Sequence, residues 1–464
     1  MSDLAAVLAH LDKDAEAATE RLFSLLRLES VSTDSAYRAE CRKAAEWLVR
    51  DLTEIGFDAS IRDTPGHPMV VAHSGAHAGD GGPHLLFYGH YDVQPVDPLN
   101  LWTAPPFDPV IAEGAQGPEI RARGAADDKG QLMTFVEACR AWKAATGELP
   151  ANITLLFEGE EESGSPSLVP FLEANREELK ADLALVCDTG MWDAETPAIS
   201  TMLRGMVGET ITVKAADRDL HSGMYGGPAA NPIRVLSKIL ASMHDESGRV
   251  TLPGFYDGVS DTPPEILKQW EALGFRHEDF LGAVGLSTPA GETGYSALEQ
   301  IWARPTLEFN GVSGGYTGEG FKTVLPAEAF VKISCRLVGD QDPVKIRESI
   351  RQRFREMLPP DCTVEFDAKD GGSGGIVMPT EDPRFEAARQ ALSAEWPKEA
   401  VFGGCGGSIP IVGHFQSILG MNSLLIGFGL DDDRIHSPNE KYSLTSFRKG
   451  ARSWARVLGA LGGR

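Results

Sequence analysis

Between residues 3 and 28, Leu and Ala recur three and four positions apart, with Asp, Glu, Lys and Arg between them. That spacing predicts an amphipathic helix. Residues 38 to 55 repeat the pattern and stop at Gly56, a helix-end signal. Short apolar runs then alternate with helical stretches. Leu85 to Tyr88, Ile153 to Phe157 and Leu183 to Cys187 read as buried strands, and Lys129 to Ala145 and Ser167 to Leu179 as helices. This βαβ rhythm predicts an α/β fold, a mainly parallel sheet with helices on both faces.

The rhythm changes near Arg204-Gly205. Val207 to Lys214 alternates like a half-exposed strand, and a helix is expected from Asn231 to His244. Residues 251 to 320 are rich in Pro and Gly and resist assignment. Ala327 to Val338 and Thr363 to Ala368 then read as strands, with a helix from Pro343 to Met357 between them. These features predict a separate α+β unit with a sheet open on one face. Gly371 to Gly375 reads as the return hinge. A helix (Pro383 to Glu395), a strand (Ser423 to Phe428) and a last helix (Leu444 to Leu461) come after it. The expected organisation is one domain from 1–206 and 377–464, with 207–376 inserted into it.

Charge narrows the function classes. The 464 residues include 43 Lys+Arg and 67 Asp+Glu, a formal net charge of −24. A chain this acidic lacks the clustered cations that nucleic acid or an anionic membrane demands, so neither partner is expected. No apolar run approaches the ~20 residues of a membrane span. The charged N-terminus lacks a signal-peptide pattern, and six scattered cysteines form no Cys-x-x-Cys pair, so a cytoplasmic location is expected.

The candidate chemistry lies just past the strand ends. Leu85 to Gly89 runs into His90-Tyr91-Asp92, Ile153 to Phe157 into Glu158 to Glu162, and Leu183 to Cys187 into Asp188. Ser423 to Gly429 leads to Asp431-Asp432-Asp433 and His436, and Asp127-Asp128 opens the helix at Lys129. Ligands of open α/β sheets bind beyond the carboxyl ends of the strands. Imidazoles with several carboxylates suit zinc, manganese or cobalt. Two divalent cations balance three carboxylate ligands and one hydroxide, so such a site is neutral and can be buried. Each piece alone has a plainer reading: a structural histidine, a solvated Glu run, an Asp N-cap. Their convergence on one sheet edge puts the metal reading level with these.

Four motifs then carry a resemblance: Gly89-His90-Tyr91-Asp92-Val93-Gln94-Pro95, Arg123 to Gly130 (RGAADDKG), Glu158 to Ser165 (EGEEESGS) and His436-Ser437-Pro438-Asn439-Glu440. In order and spacing they resemble the dinuclear metallopeptidases of the carnosinase, carboxypeptidase G and aminoacylase family. Asp219 to Gly223 (DLHSG) is a fifth match. Trp102, Pro106-Phe107 and Pro109 resemble the nonspecific dipeptidase and carnosinase branch.

The resemblance implies a zinc-aminopeptidase-like catalytic domain with an inserted lid and dimerisation domain. It implies two divalent metals per chain, zinc first with manganese or cobalt as alternatives. His90 and Asp188 correspond to ligands of one metal, Glu162 and His436 to ligands of the other, and Asp127 to the bridging carboxylate. Asp92 corresponds to the carboxylate that orients His90, and Glu161 to the general base. His221 corresponds to a histidine that reaches the partner subunit's site in a homodimer and stabilises the oxyanion. Thr323, Arg336 and Ser408 correspond to groups that hold the substrate's terminal carboxylate. Related mammalian-type dipeptidases carry a substrate-contacting histidine where this chain has Ser373. The implied activity is hydrolysis of small dipeptides by a metal-bridged hydroxide, with N-acyl-amino-acid deacylation as the alternative.

Overall fold

A computed structural model describes residues 3–75, 82–368, 371–407 and 409–463. The chain divides into two compact units, the first 1–201, 378–403 and 414–464, the second 202–377 with 404–413.

In the first unit, strands His84–His90, Asn152–Glu158, Leu183–Val186 and Ser423–Ile426 run parallel and side by side. They are apolar and buried almost end to end, as strands covered on both faces must be. Antiparallel strands complete the sheet on either side: Asp58–Arg62 with Met69–His73, and Ala198–Leu203.

Helix Lys129–Thr146 packs against Asp3–Leu26 and Leu444–Leu461. The seam is aromatic. Phe87 from the sheet stacks on Phe135 with centroids 3.8 Å apart, and Trp454 meets both rings edge-on. Helices Arg38–Ile55 and Lys129–Thr146 end on Gly56 and Gly147 at φ 95° and 82°, a left-handed conformation that a Cβ disfavours. Among the described residues no helix is long and apolar enough to cross a membrane, and all six cysteines are free thiols.

The second unit is an antiparallel sheet in the order Thr306–Gly314, Glu328–Leu337, Gly205–Lys214, Thr363–Asp367. Helices Pro232–Ala241 and Pro343–Met357 cover one face. Gly205–Lys214 alternates buried with part-exposed positions along its whole length, which leaves the other face open. The stretch 251–320 contains three short helices, Pro264–Ala272, His277–Gly282 and Ala297–Trp302, and the edge strand.

Candidate metal centre

Three adjacent parallel strands end side by side and deliver the site in the first unit. His90 is the last residue of its strand and pairs with Glu158. Beyond Glu158 a single 3₁₀ turn, Glu161–Ser163, carries Glu161 and Glu162. Asp188 comes two residues after the third strand. Asp127 precedes helix Lys129–Thr146, and His436 lies in the loop after Ser423–Ile426.

These side chains converge. Asp127 sits between two imidazoles, Oδ1 at 3.0 Å from His90 Nε2 and Oδ2 at 2.9 Å from His436 Nε2. His436 Nε2 also lies 3.2 Å from Glu162 Oε2. Donor atoms of His90, Asp127 and Asp188 fall within 4.8 Å of one another, as do those of Asp127, Glu162 and His436. The two triads share Asp127 alone. Its peptide bond to Asp128 is cis.

The chemistry of this donor set fits cations. Burial pushes the Asp188 carboxyl up to about 7, reinforced by the charge of Asp127. Burial also raises Glu161, with Glu162 and Asp127 adding to the effect against His90. Burial opposes ionisation of Asp127, yet hydrogen bonds from His436 and His90 hold it below the usual carboxylate range. Asp127 and Glu162 in turn raise His436 to about 10. Left to themselves, these acids compete for the positive charge of two imidazoles. Two divalent ions would relieve that repulsion and return both rings to the neutral, ligating form.

Supporting residues fix the candidate ligands. Asp92 carries two loads: its carboxylate accepts the Glu161 and Glu162 N–H groups at 3.2 and 3.0 Å, while its Oδ1 and carbonyl oxygen lie 3.4 and 3.1 Å from His90 Nδ1. Gln94 Nε2 donates to Glu162 at 2.8 Å. Asp128 makes no capping bond with its side chain, and its Oδ2 instead accepts the His90 N–H at 3.1 Å. Glu440 is wholly buried and accepts from Arg123 at 2.7 Å and from the N–H groups of Gly124, Ala126 and Asp127 at 2.9, 2.9 and 3.1 Å. It therefore ties the His436 loop to the Asp127 loop. Gln94, Arg123 and Glu440 all lie within the sequence motifs, but only geometry shows what they do. Glu161 differs from its neighbours: its carboxylate has no hydrogen bond or ion pair among the described residues and belongs to neither triad.

Other expected site residues lie in the second unit. His221 and Val324 pair in a two-residue ladder, and Thr323 O accepts the Ser222 N–H at 3.1 Å, so His221 and Thr323 are neighbours. Arg336 is on strand Glu328–Leu337, facing Met206 across the ladder. Arg204, one residue before strand Gly205–Lys214, is pushed down to about 10 by burial and by the charge of Arg336. Its Nε donates to Gly406 O at 3.0 Å. Ser373 pairs with Met206 through two backbone bonds of 2.9 and 3.0 Å. Ser408 lies outside the described residues.

Comparison with known proteins decides the family. A model of peptidase family M20/M25/M40 matches residues 86–460. The chain belongs to that family. It is 30% identical over 458 residues to the Cys-Gly metallodipeptidase DUG1 of Saccharomyces cerevisiae, covering 94% of each chain. It is 28% identical to human Beta-Ala-His dipeptidase, covering 93% of this chain and 84% of that one. The solved structure of the Saccharomyces cerevisiae dipeptidase Dug1p superposes with a TM-score of 0.77 at 28% identity over the whole of both chains. The M20 peptidase thus has an α/β catalytic fold in common with solved dipeptidases.

Proposed function

We propose that this M20 peptidase is a metal-dependent dipeptidase that hydrolyses the amide bond of dipeptides with a free C-terminal carboxylate. The observation that carries this reading is Asp127 held between His90 and His436, with the Glu161 carboxylate in their field and unpaired among the described residues. His90, Asp127 and Asp188 would hold one divalent metal, and Asp127, Glu162 and His436 a second. Zinc is the assignment, with manganese or cobalt as alternatives for the same donors.

When bound, such a pair lowers the pKa of water toward neutrality and polarises the scissile carbonyl. Glu161 removes the proton of the attacking water and passes it to the leaving amine. Asp92 holds Glu161, Glu162 and His90 in register through its backbone and ring contacts. The residues 207–376 act as lid and dimerisation domain, and His221 stabilises the tetrahedral oxyanion in the partner's site. Arg336, Thr323 and Ser408 hold the terminal carboxylate, Arg336 through its paired N–H groups. The enzyme works on small peptides in the cytoplasm. Deacylation of N-acyl amino acids needs the same centre, and the named relatives favour dipeptides.

Purified protein should cleave a dipeptide panel, lose that activity to chelator and regain it with zinc or manganese. Cleavage of N-acetyl or N-succinyl amino acids, with dipeptides untouched by a protein carrying two metals, would replace this reading with the deacylase.

A further inference from the structure

Among the described residues four non-glycine ones have a left-handed backbone, and three of them, Arg434, His436 and Asn439, fall in one loop at φ 57°, 62° and 62°. A side chain disfavours that region, and residues held there cluster at functional sites. His436 and Asn439 have visible work. His436 meets Asp127. Asn439 accepts from Thr103 N–H and Oγ1 at 2.7 and 2.8 Å and donates to Leu101 O at 2.8 Å, which pins the loop.

Arg434 has no such task. Its guanidinium makes no hydrogen bond or ion pair among the described residues, while the nearby cations are engaged: Lys441 with Asp432 and Asp433, Arg121 with Glu119. Arg434 lines a cavity of about 420 Å³ in the first unit, shared with Asp188, Thr189, Asp431 and Ile435. Asp431 is exposed and likewise unpaired among the described residues. One wall of the cavity is therefore a candidate metal ligand, and Arg434 and Asp431 bring to its lining a guanidinium and a carboxylate that have no partner among the described residues. A pocket with a few convergent polar groups beside the reacting centre is where a substrate residue docks.

Asp431 is a partner for a free ammonium, which in a dipeptide the residue on the amino side of the scissile bond carries, so the cavity suits that residue. Building on the dipeptidase reading, we propose that Arg434 selects substrates whose amino-terminal residue carries a side-chain carboxylate. Asp431 receives the free ammonium of that residue, and Arg434 pairs with its side-chain carboxylate. An aspartyl or glutamyl residue presents both charges at once, whereas an N-acylated residue has lost the ammonium.

The test compares Glu-Gly with Gln-Gly, and Asp-Gly with Asn-Gly, in the metal-loaded enzyme. Wild type should favour each acid over its amide by about tenfold in kcat/KM. Arg434→Gln should bring both ratios near one, and Arg434→Lys should keep part of the preference. Arg434→Gly should also abolish it without lowering Tm, because glycine accepts the left-handed backbone. In a Glu161→Gln background, Kd for Glu-Gly should weaken by a similar factor when Arg434 becomes Gln. Equal wild-type rates for acid and amide, or ratios unmoved by both charge-removing variants, would overturn the proposal while Ala-Gly cleavage left the dipeptidase reading intact. Failure to cleave Ala-Gly as well would remove both.

Discussion

At the scale of single residues, the proposed chemistry separates groups that would hold cations from one that would move a proton. Asp127 is committed to two imidazoles, while the Glu161 carboxylate has no hydrogen bond or ion pair among the described residues. Glu161→Gln keeps the shape and removes the base. We expect it to retain both metals, measured by elemental analysis, and to lose about 10³-fold or more in kcat. A variant that turns over near the wild-type rate would remove Glu161 from its role. Glu440 is the complementary case, since it touches the backbone of Asp127 and no donor atom of either triad. A Gln there would present an amide NH₂ to donors that now all face acceptor oxygen. Glu440→Gln is expected to weaken metal affinity by about 10- to 100-fold in chelator competition, with a smaller loss in the melting temperature of the metal-free protein. The strand-end acids and histidines were legible in the sequence because an apolar run that ends on His or Asp announces itself. The support from Glu440, Arg123 and Gln94 was not, because it joins loops more than 60 residues apart.

Elements were legible where burial enforces a period. The helices at 343–357 and 444–461 run as the spacing predicts, and Gly56 and Gly147 end theirs. The pattern misled at Ser167 to Leu179. There the helix breaks at Asn175, whose Nδ2 donates to Phe171 O at 2.8 Å in competition with the backbone. Strand Thr306–Gly314 gave no signal because only Leu307 is buried and a bulge interrupts the pairing between Phe309 and Gly311. An exposed edge strand has no buried face to impose alternation. Element packing also bears on the site through Gly130, in the first turn of helix Lys129–Thr146. A methyl group there would collide with the carbonyl of Ala125, and its ring neighbour Tyr442 is wholly buried. Neither can yield cheaply. Gly130→Ala should therefore cost about 1–3 kcal/mol in denaturant unfolding and shift the Asp127 loop enough to reduce metal content. Normal stability with full metal would show that the loop relaxes.

At the scale of the whole molecule, the cations are a stability term as well as a chemical one. Ligands that bind only the folded state raise its stability with their free concentration, so chelation should lower Tm, and added zinc should restore it in proportion to the logarithm of its concentration. A Tm indifferent to chelator would mean the acids are not holding metal. The inserted unit poses a different question, which His221 answers through a mixing experiment. Its Nδ1 accepts the Gly223 N–H at 3.0 Å, so the neutral ring carries its proton on Nε2, an exposed donor suited to an oxyanion. If that donor serves the partner subunit, His221→Ala and Glu161→Gln are complementary defects. In a mixed dimer, the site on the His221→Ala chain has its own Glu161 and receives His221 from the other chain, while the second site lacks both. Random exchange makes half the dimers mixed with one working site in two, so about a quarter of wild-type activity should return from two inactive proteins. If His221 serves its own chain, every site in the mixture lacks one group, and no activity returns however complete the exchange.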